Sequence, residues 1–213
     1  MAGGIEFSAT NLFKFLGLLS PFLIIFFLLM SSVVNQDFKV IVYLLGTSVA
    51  SLLNIFFMYL IKSERGPDAS PFCNVFTFPF TVNSDANARY DAPSMTSMFI
   101  AFTLAYIWLP MTFNPPNTVN LPLVLALLSL LVIDIIAQSN QKCTSVLGSF
   151  LGTVVGFVMG AGWYAMINAS GYKSLLYYSD FTGNKTICSR PQRQYFKCDV
   201  YRNGRLLQTS RFS

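Results

Sequence analysis

The chain reads as an all-α membrane protein: a bundle of about five transmembrane helices with a small extramembrane C-terminal β-hairpin tail. Three observations predict this. Of the 213 residues, 54% are hydrophobic and only 11% charged, with a mean hydropathy of +0.54, whereas soluble domains carry about a quarter charged residues. Five apolar runs are long enough to cross a hydrocarbon core about 30 Å thick, which takes roughly 17–25 helical residues. After residue 169 the composition turns polar and basic.

The runs cover residues 12–34, 38–61, 95–113, 121–137 and 146–169, so residues 1–169 form the membrane bundle and 170–213 a separate tail. The first run reads as a span and not as a cleavable signal, because no basic segment precedes it and no small-residue cleavage site follows. Ala2 stands where N-myristoylation needs glycine. Lys14 and Lys39 lie at span ends, where their stems can carry the charge to the interface. Pro21 and Pro110 fall inside spans and each removes a backbone donor, which predicts kinks. The third and fourth spans are short and joined by Asn114-Pro115-Pro116-Asn117, so a re-entrant pair is the alternative there.

With five crossings, the N-terminus, the 62–94 loop and the 138–145 loop share one face, opposite the tail. Near the spans that first face has Lys14, Lys62, Arg65, Arg89 and Lys142 against Lys39, Lys173 and Lys185 on the other. By the rule that weights charges close to the bilayer, this balance favours a cytoplasmic N-terminus and a lumenal tail. The 33-residue loop 62–94 holds Phe72, Phe76, Phe78, Phe80 and Tyr90. It is long for a structureless connector, and either lies against a neighbouring protein or the interface or folds back over its own bundle.

Residues 1–169 carry a net charge of −1 and the tail +6, so the overall +5 belongs to one appendage. Its cations are Arg190, Arg193, Lys197, Arg202, Arg205 and Arg211 together with Lys173 and Lys185. Asn203-Gly204 between residues 194–201 and 205–209 is a type I′ turn signal and predicts the hairpin. Basic residues interleaved with Tyr195, Phe196 and Tyr201 suit an acidic protein surface or lipid headgroups; the same pattern can stack on single-stranded nucleic acid, but any small basic hairpin looks like this. Cys188 and Cys198 could close a disulfide across the tail, two free thiols being the alternative. Cys73 and Cys143 fall together on the opposite face, and a simple compartment oxidises at most one of the two pairs. The sequons at Asn168 and Asn184 occur about as often as chance predicts and carry no weight.

In the fifth span Gly148, Gly152, Gly156 and Gly160 recur every four residues and form one side-chain-free face for close helix packing. The second span offers Gly46 and Ala50, with Thr47, Ser51 and Asn54, as the partner surface. The same stripe could instead serve an oligomer. Asp134 is the sole acidic residue in a span; lying one turn from the 138–145 loop, it reads as a solvated helix-end residue, and as a functional carboxylate otherwise.

The chain has no histidine. That excludes Ser-His-Asp and Cys-His nucleophiles, phosphohistidine intermediates, and histidine-ligated zinc or haem. No catalytic, cofactor-binding or metal-ligating residue is assigned. Lys62-Ser-Glu-Arg65-Gly-Pro67, then Pro93-Ser94-Met95-Thr96 opening the third span, then Ser139-Asn-Gln-Lys142, have an order and sidedness that resembles the membrane phosphatidate-phosphatase superfamily. Met95-Thr96 stands where that family has Gly-His, so the resemblance implies at most a catalytically inactive, lipid-binding scaffold.

Over most of residues 5–165, the strings Ile5-Glu-Phe-Ser8, Asn11-Leu-Phe-Lys-Phe-Leu-Gly17, Ser20-Pro21-Phe22, Val42-Tyr-Leu-Leu-Gly46, Pro71-Phe-Cys73, Tyr90-Asp-Ala-Pro-Ser94, Phe99-Ile-Ala-Phe102 and Leu109-Pro110-Met111 resemble a multi-pass membrane protein of the large icosahedral DNA viruses with an internal membrane, such as phycodnaviruses. The resemblance implies a non-catalytic minor capsid or membrane component. Such a protein sits in a virion internal membrane assembled from host endoplasmic reticulum, with the lipid bilayer and capsid or other virion proteins as partners.

Overall fold

Each apolar run forms one helix. The computed structural model describes residues 9–70, 73, 90–113, 119–177, 196–202 and 205–212. Helices α1 (Ala9–Asn35), α2 (Lys39–Ile61), α3 (Met95–Phe113), α4 (Leu121–Asn140) and α5 (Val146–Ala169) follow in order, with one 3₁₀ turn at Lys173–Leu175. Helices α2 to α5 are each long and apolar enough to cross a membrane, and Leu19–Asn35 is the apolar part of α1. Helices α3 and α4 are continuous over 19 and 20 residues, so neither is a re-entrant half-helix.

Local chemistry sets the ends. The Asn120 side chain accepts from the Leu123 N–H at 3.3 Å ahead of Pro122, and the Ser145 hydroxyl accepts from the Gly148 N–H at 3.0 Å. Helix α2 closes on Lys62 in the left-handed region (φ 50°), whose N–H reaches the Met58 carbonyl at 2.9 Å. Inside α1, Pro21 deprives the Gly17 carbonyl of its usual donor four residues on. The Ser20 hydroxyl takes that carbonyl instead, at 2.8 Å and fully buried, a compensation that hydrocarbon surroundings demand.

Helix α3 is the axis of the bundle: Met95 through Ile107, with Pro110 and Met111, are all buried. Its neighbours are buried on one side only and turn Phe26, Leu52, Phe56, Leu125, Leu147 and Phe150 outward, as lipid-facing helices do. Mid-bundle, the ring of Tyr43 packs edge-on to Phe99 and Phe102. Its hydroxyl lies 2.7 Å from that of Thr103, which donates its own proton to the Phe99 carbonyl at 2.8 Å.

The glycine stripe packs against α3, and not against α2 as the sequence suggested. A Cβ on Gly152 would strike the backbone of Ser94, one on Gly156 that of Met98 and one on Gly160 that of Phe102. Ser94, Met98 and Phe102 are themselves four apart, so two rows of equal pitch lie backbone to backbone. With all four stripe glycines buried, the stripe is occupied within the chain, and an oligomer would need another face. The second and fifth spans do meet, as expected, but at Trp163 of α5 and not at the stripe. Ala50 is fully buried, and Gly46 makes room for the rings of Trp163 and Phe102, the Trp163 indole donating to the Val42 carbonyl at 3.2 Å.

At the end of the bundle opposite loop 62–94, Leu176 and Tyr177 are fully buried. The Tyr177 hydroxyl donates to the Leu28 carbonyl at 3.1 Å and lies 3.1 Å from the Ser32 hydroxyl. Ser32 in turn donates to Asp37 at 2.6 Å, and Asp37 pairs with Lys39 at 3.2 Å. The helical unit therefore takes in residues beyond 169; one compact unit runs Met1–Gly183 and the other Asn184–Ser213. In the second unit Phe196–Arg202 pairs antiparallel with Arg205–Phe212, bringing Lys197 opposite Arg211 and Arg202 opposite Arg205. Arg190, Arg193, Cys188 and the Asn203-Gly204 turn lie outside the described residues, as do Phe72, Phe76, Phe78 and Phe80.

Candidate functional site

Polar side chains gather where α3 and α5 begin, α4 ends and loop 62–94 enters and leaves the bundle. The two ends of the loop are stitched together: Glu64 and Tyr90 form an isolated β-bridge, and the Asp91 N–H donates to the Ser63 carbonyl at 2.9 Å. The loop is also tied to the α4–α5 turn. The Ser70 N–H donates to the Gln141 carbonyl at 3.2 Å, Lys142 pairs with Asp68 at 3.2 Å on the exposed rim, and a disulfide joins Cys73 to Cys143. The described parts of the loop thus fold back over their own bundle. Among the described residues the oxidised pair is Cys73–Cys143; Cys188, half of the pair expected in the tail, is outside them.

Arg65 is the keystone of this cap. Its Nε donates to the Cys143 carbonyl at 3.1 Å and its Nη2 to the Tyr90 carbonyl at 3.5 Å. Burial pulls its guanidinium below the usual arginine range, and the nearby Asp91 carboxylate opposes that shift. Beneath it is a chamber of about 30 Å³, lined among others by Arg65, Tyr90, Asp91, Ser94, Thr96 and Gln138. A water needs roughly 10–15 Å³ of such space, so the chamber has room for about two.

One hydrogen bond further in lies Asp134, fully buried. Ser97 Oγ donates to its Oδ2 at 2.8 Å, Thr96 Oγ1 to the same oxygen at 3.1 Å, and Gln138 Nε2 to Oδ1 at 3.4 Å. Gln138 also reaches Thr96 Oγ1 at 3.1 Å. The expectation of a solvated helix-end residue is overturned: α1 crosses α4 here, with Gly17 set against Ala137 and the backbone of Asp134, and closes the side that would otherwise be wet. Ser94 caps α3, accepting from the Ser97 N–H at 3.4 Å. Asn54 of α2 donates to the Pro93 carbonyl at 3.1 Å, so all five helices or their entry strands meet within this cluster.

Of the positions that resemble a phosphatidate phosphatase, the structure brings Arg65, Ser94 and Thr96 to one chamber. Lys142 turns to Asp68 on the rim, and Lys62 is the exposed cap of α2. Sequence reasoning did not find Ser97 and Gln138 as partners of Asp134, although the four-residue spacing of Asp134 and Gln138 on one helix face was a usable signal. Compared with known protein families, curated proteins and solved structures, the chain has no match.

Proposed function

We propose that this is a non-catalytic structural membrane protein of a virion, a minor capsid or membrane component that anchors an internal membrane to the shell or core. One observation carries the non-catalytic part: Arg65, the side chain a phosphatase-like scaffold would turn toward phosphate, is spent on the carbonyls of Cys143 and Tyr90. It holds the loop cap shut. Disulfide, bridge and ion pair all serve the same end, a stiff platform over the loop face. The virion assignment rests on the resemblance of residues 5–165 to membrane proteins of large icosahedral DNA viruses.

The disulfide also reverses the orientation read from charges near the spans. Disulfides persist on the oxidising side of a membrane, so in this reading loop 62–94 is lumenal and the +6 tail, an extramembrane basic hairpin, lies on the reducing side.

Purified particles test the proposal. The protein should be present at stoichiometric copy number, with cross-links from loop 62–94 or the tail to capsid or core protein. Absence from particles overturns the virion role, and hydrolysis of phosphatidate by the purified protein overturns the non-catalytic one. A second reading, a small transporter or channel, is favoured by the buried carboxylate of Asp134; ion flux in liposomes abolished by Asp134→Asn would establish it.

A further inference from the structure

The chamber beneath Arg65 connects solvent to the hydroxyls that serve Asp134. Of its lining residues Arg65 and Asp91 keep partial exposure, whereas Ser94, Thr96 and Gln138 are 3%, 6% and 6% exposed. Asp91 Oδ2 accepts from the Ser145 N–H at 3.4 Å, but Oδ1 is buried and has no protein donor among the described residues. A buried carboxylate oxygen calls for a donor, and water is the donor that a space of about 30 Å³ admits.

From the chamber inward the hydroxyls form a line. Thr96 Oγ1 gives its one proton to Asp134 Oδ2 at 3.1 Å, so the 3.2 Å bond between Ser94 Oγ and Thr96 Oγ1 is donated by Ser94. With Gln138 Nε2 also donating to it at 3.1 Å, Thr96 Oγ1 has both lone pairs engaged. Ser94 Oγ accepts only the Ser97 N–H, at 3.4 Å. One lone pair is left there, and water in the chamber meets the line at Ser94.

The line ends at Asp134. Among the described residues no cation pairs with it: α3 supplies Thr96 and Ser97, α4 supplies Gln138, and α1 brings Gly17 against its backbone, the one charged residue of that helix, Lys14, lying a turn earlier. The chamber adds Arg65 and Asp91, of opposite sign. An ion pair would fix the carboxylate as an anion, and here none does. Toward the opposite face α4 continues with the buried Leu131, Leu127 and Val124. The next hydroxyl on α3, Thr103, bonds to Tyr43 and to the Phe99 carbonyl and not to this cluster.

We propose that Asp134 is a proton-binding site loaded from the loop face through Ser94 and Thr96. A hydrated proton in the chamber protonates Ser94 Oγ as Ser94 passes its own proton to Thr96 Oγ1 and Thr96 passes its own to Asp134 Oδ2. Each hydroxyl loses one proton and gains one, so only the carboxylate changes charge, and both hydroxyls end turned back toward the chamber. The proton leaves by the same route, which separates this site from the ion path of a transporter.

The test follows the carboxylic-acid C=O stretch by infrared spectroscopy on the full chain in proteoliposomes, sorted by a tag on the tail into loop-out and tail-out vesicles. In loop-out vesicles an acid jump in the medium should raise a band that shifts in D2O and that Asp134→Asn removes. In tail-out vesicles the same jump should raise it at least tenfold more slowly. Thr96→Val, which breaks the line, should slow the rise from the loop face at least tenfold, and Thr96→Ser should restore the original rate. Ser94→Ala supplies a second break if the valine variant does not fold. No band that Asp134→Asn removes, equal rates from the two faces, or a rise indifferent to the breaks would overturn the proposal. A steady proton current across the vesicles would overturn it too, since that needs a path beyond Asp134. None of these readouts depends on whether the protein is found in particles.

Discussion

Gly156 of α5 lies directly against the backbone of Met98 of α3, so that the smallest possible side chain on Gly156 would overlap the Met98 carbonyl oxygen. Neither backbone can yield without parting two helices that touch along their whole contact. Apolar drive between helices is absent in lipid, and what holds α3 and α5 together is this closeness itself.

Gly156→Ala should therefore lower stability by about 1–3 kcal/mol, in the range of overpacked cores, and Gly156→Leu should prevent folding. Gly162 supplies the control. A Cβ there meets nothing within 4 Å, so Gly162→Ala should be neutral or stabilise the helix by up to about 1 kcal/mol. Thermal unfolding of the detergent-solubilised variants separates the two. Equal loss at both glycines would mean that the stripe does not set the α3–α5 distance.

Asp134 predicts a different kind of loss. Replacing it with leucine takes the shared acceptor from the hydroxyls of Ser97 and Thr96 and the amide of Gln138, at a cost of about 1–3 kcal/mol. Asp134→Asn keeps an acceptor oxygen for the hydroxyls and should cost less than half as much. Adding Ser97→Ala to Asp134→Leu should recover part of the loss, because one orphaned donor is gone. Additive losses in that double-mutant cycle would show that the two side chains do not act as a pair.

The helices were legible because apolar run length is a one-dimensional property: all five appear, with α4 extending to Asn140 and α1 starting at Ala9. Helix pairing was not. Gly148, Gly152, Gly156 and Gly160 announce a close contact, but a stripe of small residues says nothing about its partner, and three of them meet the backbone of Ser94, Met98 and Phe102, residues with ordinary side chains. Asp134 was misread for a related reason: distance from a helix end suggests wetness, whereas its dryness comes from tertiary packing, with Ser97 and Thr96 of α3 on its carboxylate and Gly17 of α1 against its backbone. Cys73 and Cys143 come together as the sequence placed them, but their oxidation depends on the fold of loop 62–94, which local sequence does not encode; Cys188, of the other pair, lies outside the described residues.

The Cys73–Cys143 bridge closes a span of 70 residues. Its removal by Cys73→Ser should destabilise the protein by about 2–4 kcal/mol and loosen the loop cap, seen as faster proteolysis within residues 62–94. Thiol counting with a maleimide of visible mass should label Cys188 and Cys198 before reduction and all four cysteines after it. In sealed vesicles a membrane-impermeant maleimide added from the cytoplasmic side should reach the tail cysteines. Labelling of Cys73 or Cys143 before reduction would remove the basis for a lumenal loop.

At the other end of the bundle the Asp37 clasp should be sensitive to acid. Burial alone would raise the Asp37 carboxyl, but the Ser32 hydroxyl, the Lys39 backbone N–H and the Lys39 ammonium outweigh it, and the net shift is below the ordinary value of 3.8. A depressed folded-state value means that the clasp contributes fully above the unfolded carboxylate range and is lost as pH falls through the folded value. Stability should thus be flat near neutrality and decline below about pH 4. Asp37→Asn should remove that decline while costing about 1 kcal/mol at pH 7. Because Ser32 links Asp37 to Tyr177, the same acidification should expose residues 173–177 to protease, and protection unchanged in acid would show that the clasp does not hold the chain's exit from the bundle.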